Sequence, residues 1–197
     1  MDRIRRKPAL VVFSLLMATS LCAAAITTSS FYVSGSGNDS NPGTKEKPFL
    51  TLQHAADEAK PGDTINVRGG KYCERLRVTS SGNAAQGYIT FRSQPGETAT
   101  LDGSCLIPDV GDSPMIALHN VSYIKLQGLE VANYKTADPK RVPCGIRVDG
   151  HGSHIQILNN NVHNIEQTYQ GRMGPGHGAN GFGIAVYGTD GNAPITD

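Results

Sequence analysis

The chain has no tryptophan, and aromatic residues make up only 6% of its 197 positions. It has no surplus of positive charge either. Eighteen Lys and Arg face 17 Asp and Glu, a formal net of +1. The first 25 residues hold four of the basic groups and one acid, +3 in all, which leaves −2 for the rest. Such a balance provides no basic field for nucleic acid. The four cysteines, at 22, 73, 105 and 144, match no zinc-ligand spacing. The longest apolar stretch, Leu10–Leu21, covers 12 residues, short of the roughly 20 that span a bilayer. Glycines in the second half are followed by no P-loop lysine and no strand–helix context, which excludes a phosphate cradle.

What is present begins with a leader. Arg3, Arg5, Arg6 and Lys7 precede Leu10–Leu21, and Ala23–Ala24–Ala25 offers small residues for cleavage. This is the pattern of a secretory signal peptide over 1–25, with a mature domain over 26–197 and no membrane span in it. All 23 glycines lie beyond Ala25. Many glycines among short β-branched runs predict an all-β fold rich in turns. Three cysteines, Cys73, Cys105 and Cys144, remain in the mature part. Export permits a disulfide, but an odd count leaves at least one thiol unpaired, and the pairing stays open.

The strongest signal is a near-repeat. Ile116–Ala117–Leu118 followed by Tyr123–Ile124–Lys125–Leu126–Gln127–Gly128–Leu129–Glu130–Val131 is echoed by Ile146–Arg147–Val148 followed by His154–Ile155–Gln156–Ile157–Leu158–Asn159–Asn160–Asn161–Val162. A third copy opens with Ile184–Ala185–Val186. Each unit holds three short strands and is too small to bury its apolar face alone. It must stack on a neighbour, which predicts a solenoid of three-strand rungs with Ile116, Ile146 and Ile184 in one interior column. Regular rungs are expected from Met115, with two-residue corners at Gln127–Gly128 and Asn159–Asn160 and long loops at 132–145 and 164–182. Asn at such corners tolerates a left-handed backbone, and stacked Asn side chains can hydrogen-bond along the coil axis. Segments 64–67, 75–78, 88–92 and 98–102 read as one irregular first rung. A helix over Thr51–Lys60, with Leu52, Ala55, Ala56 and Ala59 on one face, caps the open N-terminal end.

The run from Phe31–Tyr32–Val33–Ser34 through Gly37–Asn38–Asp39–Ser40–Asn41–Pro42–Gly43, Pro48–Phe49–Leu50–Thr51–Leu52–Gln53 and Ala59–Lys60–Pro61–Gly62–Asp63–Thr64–Ile65–Asn66–Val67–Arg68–Gly69–Gly70–Lys71–Tyr72 resembles the opening of secreted right-handed parallel β-helix proteins. It is similar to family-nine pectate lyases and, more loosely, to chondroitinase-B-like lyases. The resemblance implies an exported, monomeric protein acting on an acidic polysaccharide. It implies cleavage of a uronate-containing glycan by β-elimination, with calcium as the cation those folds commonly use. The Asp cluster that holds calcium in that family has no counterpart in this sequence, and no metal ligand is assigned. Asp102, in Leu101–Asp102–Gly103, reads as structural. Pro194–Ile195–Thr196–Asp197 looks like the lead into another strand, so the domain is expected to be truncated at its C-terminal end.

β-Elimination needs a cation to neutralise the carboxylate, a base for the adjacent C–H proton, and an acid for the leaving oxygen. Period two places Ala117, His119, Arg147, Asp149, Ala185 and Tyr187 on one outer face. Arg147 suits a carboxylate, and His119, Asp149 and Tyr187 complete a substrate-binding patch. In the long glycine-rich loop, His177 is the candidate base beside Arg147, and Glu166 a substrate-binding residue. Each has a plainer reading: an Arg147–Asp149 surface pair, a turn histidine, a tyrosine covering its neighbour. Two rival functions follow. One is a glycoside hydrolase or epimerase using Asp149 with Glu166. The other is a non-catalytic glycan-binding module.

Overall fold

A computed structural model describes residues 28–171 and 180–188. The segment 1–25 expected as a signal peptide, His177 and 194–197 lie outside those residues. Four turns of chain stack into a coil. The first turn holds β2 (Thr64–Val67), β3 (Gly70–Tyr72) and β4 (Leu76–Val78). The second holds β5 (Ile89–Ser93), β6 (Ala99–Asp102) and β7 (Gly111–His119). The third holds β8 (Ile124–Gln127), β9 (Glu130–Thr136) and β10 (Arg141–Asp149). The fourth holds β11 (Ile155–Leu158), β12 (Asn161–Gln167) and β13 (Phe182–Tyr187). An additional strand, β1 (Ser30–Val33), lies beside β2.

Equivalent strands pair in parallel and build three sheets. We call them A (β1, β2, β5, β8, β11), B (β3, β6, β9, β12) and C (β4, β7, β10, β13). The expected β-helix of three-strand rungs is therefore what the chain forms. The single irregular rung over 64–102 is corrected. That stretch holds the whole first turn and two strands of the second. β3 escapes sequence reading because it has three residues and one inward side chain, Tyr72, too few to show a period. The expected loop at 132–145 is also mostly strand. Asn133, with φ +59°, bends β9, and Tyr134 then turns inward with no exposure.

Register drives the interior. Leu76, Ile116, Ile146 and Ile184 align in sheet C, as do Val78, Leu118, Val148 and Val186. Ile65, Phe91, Leu126 and Ile157 form a column in sheet A, and Tyr72, Leu101, Val131 and Val162 one in sheet B. Corners repeat too. Gly128 and Asn159 occupy the same corner with φ +66° and +53°, so one position accepts the two residue types least strained there.

The first turn is covered by helix α1 (Leu52–Glu58), whose Leu52, Ala55 and Ala56 are buried. Thr51 caps it, its hydroxyl accepting from His54 N at 3.1 Å. The Glu74 carboxylate accepts from Leu52 N and Gln53 N. Burial nonetheless pushes the Glu74 carboxyl up, against those two bonds. The helix ends earlier than the sequence suggests because Ala59 is extended, and Asp63 accepts from Lys60 N at 2.9 Å and Ser29 N at 2.6 Å. No helix among the described residues is long and apolar enough to cross a membrane. Cys73 and Cys105 form a disulfide, and Cys144 is free and buried. Burial pushes the Cys144 thiol up to about 11.

Polar ladders run along the axis. Asn164 Nδ2 donates to Asn133 Oδ1 at 3.1 Å, and Asn133 Nδ2 to Asp102 Oδ1 at 3.3 Å. Asn160 bridges rungs as well, accepting from Leu129 N and donating to Leu126 O, each at 2.9 Å. Asp102 ends the first ladder. It accepts from Ser104 N at 3.0 Å and pairs with Lys71 at 3.0 Å, and these partners hold its carboxyl well below the usual carboxylate range.

Two predictions follow from this packing. Ile146 has no exposure and a rung on either side, whereas Val186 is 58% exposed. Ile146→Ala should cost about 2–5 kcal/mol in urea unfolding, and Val186→Ala only about 0.5 kcal/mol. Equal costs would refute a shared interior. Asp102 has a folded pKa below its unfolded one, so its contribution is present at neutral pH and lost as acid protonates it. Thermal melts of Asp102→Asn should show a lower Tm at pH 7 and a shallower fall below about pH 4. A parallel fall in both proteins would contradict this.

Candidate functional site

Sheet C presents two outward columns. Arg77, Ala117, Arg147 and Ala185 align in the first, and His119, Asp149 and Tyr187 in the second. Rungs lie roughly 4.8 Å apart, which puts Arg77 and Arg147 two steps, about 10 Å, from each other. Ala117 between them leaves an open floor. A small cavity there, of about 100 Å³, is lined by Arg75, Arg77, Asp112, Pro114, Ala117 and Arg147.

The predicted residues Arg147, Asp149 and His119 meet. Asp149 is nearly buried, and its two oxygens face His119 Nδ1 at 2.8 Å and Arg147 Nε at 3.1 Å. The Arg147 contact is an ion pair without hydrogen-bond alignment, because buried Nε makes no hydrogen bond among the described residues. Asn120 fixes the far side of the imidazole. Its Oδ1 accepts from His151 N at 2.7 Å, so its amide nitrogen faces His119 Nε2 at 2.8 Å. A donor on Nε2 and an ionised carboxylate on Nδ1 together specify the neutral tautomer with the proton on Nδ1. The turn reading of His119 and the pairing of Arg147 with Asp149 are thus present within one cluster.

Tyr187 stands beside Asp149 in register but directs its hydroxyl to Asp112 Oδ2, donating at 2.8 Å. Burial and that anionic acceptor push the phenol up to about 12. Glu166 does not join the group. It lies on β12 in sheet B and pairs with Lys135 at 3.0 Å, so Asp149 and Glu166 share no sheet. His177 lies outside the described residues.

Sequence reasoning missed Arg77, Arg75 and Asp112. Leu76–Arg77–Val78 repeats the aliphatic–Arg–Val pattern of Ile146–Arg147–Val148, and that signal was available. Arg75 is pinned by Asp109 at 2.6 Å and Ile107 O at 2.5 Å and sits 5.6 Å from the Tyr134 ring centre. The disulfide ties Cys73, at the base of this wall, to the turn at 103–105. Arg77 is exposed, and its guanidinium makes no ion pair or hydrogen bond among the described residues. No three His, Cys, Asp or Glu side chains among those residues converge as metal ligands. With both Asp149 oxygens engaged, the described face does not fit a calcium cage.

Residues 31–192 match the family described as the Pel9A-like, right handed beta helix region, and the chain belongs to that family. The chain is 37% identical over 137 residues to the uncharacterized protein YwoF of Bacillus subtilis, covering 70% of this chain and 29% of that protein. It is 32% identical over 120 residues to pectate lyase PEL9 of Emericella nidulans, covering 55% of this chain and 29% of that one. The chain therefore spans under a third of either relative's length. Among solved structures, a rhamnogalacturonan lyase superposes with a TM-score of 0.58 at 17% identity, over 81% of this chain and 51% of its own. A GH136 lacto-N-biosidase from Eubacterium ramulus gives 0.59 at 21% identity, over 81% and 30%. These two likenesses speak for the right-handed coil alone.

The tautomer argument is testable. Removing the Asn120 amide should free Nε2 while leaving the Asp149 contact intact. Nitrogen-15 spectra of Asn120→Gly, which keeps the left-handed corner, should show the His119 Nε2 resonance moved and Nδ1 little changed. An unmoved Nε2 resonance would mean that Asn120 does not engage the ring.

Proposed function

We propose that this chain forms part of an exported β-helix protein whose sheet-C face binds an acidic glycan, and that the whole protein cleaves a uronate-containing glycan by β-elimination. The observation that carries this reading is the Arg77–Ala117–Arg147 column. Two guanidinium groups about 10 Å apart over a small floor suit carboxylates carried on a chain lying along the coil. Kinship with a protein named as a pectate lyase supports the reaction class. The disulfide supports export, since such bonds persist in oxidising compartments.

The described residues supply parts of the chemistry. Arg147 and Arg77 would neutralise uronate carboxylates and so acidify the neighbouring C–H. Asp149 would hold Arg147 and His119 in place. His119 Nε2 is engaged by Asn120, so the ring as it stands does not offer a free base. The base that takes the C–H proton as the double bond forms and the glycosidic oxygen departs would come from elsewhere. His177 keeps that candidacy. A hydrolase reading loses its proposed carboxylate pair, because Asp149 and Glu166 sit on different sheets.

Polygalacturonate supplied with and without calcium gives the test. Ultraviolet-absorbing unsaturated products mark the lyase. New reducing ends without that absorbance would replace the reading with a hydrolase, and binding without either would leave a module. Binding to immobilised polygalacturonate should weaken about five- to tenfold for Arg77→Ala and for Arg147→Ala, with a smaller salt dependence in each. Wild-type binding in both variants would remove the column from the account.

A further inference from the structure

A second polar cavity lies at the corner between sheets A and B, where sheet C takes no part. Its origin is a difference in corner length. β2 and β3, β8 and β9, and β11 and β12 are each joined by two residues, but β5 and β6 are joined by five, 94–98. The extra chain folds back over the first turn and is fixed there. Gln94 N donates to Val67 O at 2.7 Å, Gly70 N to Thr98 O at 3.0 Å, and Gly69 N to the Glu97 carboxylate at 2.6 Å. Its other side stands as a ledge above the tight corners of the third and fourth turns. The step borders an open cleft of about 300 Å³, the lower end of the range for small-ligand sites.

The lining is chemically specific. Gln127 and Asn159 each bring a side-chain amide with no hydrogen bond among the described residues. Arg92 donates through Nε to Asn66 at 2.8 Å, which orients its guanidinium and leaves the terminal nitrogens uncommitted. Gln94 lines the cavity as well, and its buried Oε1 accepts nothing among the described residues. Exposed Pro95 adds an apolar wall. Glu97 balances Arg92, so the lining carries no net charge.

We propose that this corner is a glycan subsite for a neutral sugar residue, separate from the sheet-C face. Planar amide and guanidinium groups pair with adjacent ring hydroxyls, each of which both donates and accepts. The proline ring meets the C–H face of the pyranose. A balanced Arg92 and Glu97 give a uronate no advantage, and the absence of an aromatic ring in the lining gives a nucleobase no platform. The inference does not depend on the chemistry proposed for sheet C.

Calorimetric titration with the neutral oligosaccharides β-1,4-galactotetraose and cellotetraose, and with trigalacturonate, tests it. At least one neutral tetraose should bind, weakened about tenfold by Gln127→Ala and by Asn159→Gly. Asn159→Gly preserves the left-handed corner that Gly128 already occupies one rung away. Arg147→Ala should leave this binding unchanged and weaken only trigalacturonate. On the unmutated protein, the same tetraose should shift the Gln127 and Asn159 side-chain amide resonances, which settles the matter even if a variant folds poorly. Absence of binding by both tetraoses, or amide resonances that stay fixed while one binds, would overturn the proposal.

Discussion

Parallel pairing in constant register is the constraint on which this molecule depends. Each backbone hydrogen bond between turns fixes which side chain lies above which, at a step of roughly 4.8 Å. Inside, the step makes columns of Ile, Leu, Val and Phe whose burial favours the coil. Outside, it sets charge against charge. Lys135 stands beside Glu166, and Lys71 reaches Asp102. Two arginines on adjacent rungs would repel at this distance. On sheet C they are separated by Ala117, and the spacer that relieves repulsion also opens the floor between them. Stability and binding geometry thus come from one register.

Corners are where this coil differs from turn to turn, and that is where its candidate binding features collect. Sheet strands cannot lengthen independently without losing their partners. Corners can, because loop length changes folding cost only slowly. The five residues at 94–98 make a ledge; the turn at 103–105 and its disulfide build a wall beside Arg75. Asn120 and Gly150 share one left-handed corner, and the asparagine there reaches back to lock His119. A glycine at 120 would keep the backbone and lose the lock.

What could be read from sequence follows the same division. Period two in Ile146–Arg147–Val148 gives both the interior column and the outward neighbours, and so puts Arg147, Asp149 and His119 on one face. That logic failed for Leu76–Arg77–Val78 only because the strand before it, Gly70–Tyr72, is too short to announce a rung. Glu166 reads as loop for a different reason: the glycines that follow hide a strand. The Asn164 bend lets β12 continue, and pairing with β9 fixes Glu166 beside Lys135. Asn120 carried no periodic signal at all, since its role depends on a corner angle and on a backbone N–H from the next rung.

The orientation of His119 shows how far a local network can constrain a side chain. The Asp149 carboxylate meets Nδ1, and the Asn120 amide nitrogen meets Nε2. His151 N enforces the amide's orientation, so backbone one rung up, just after β10, sets how a side chain of β7 is held. A group held this way suits positioning and hydrogen-bond acceptance more than proton abstraction. Under the β-elimination proposed above, the arginines of this face would meet the carboxylates, and the proton's acceptor would come from another element.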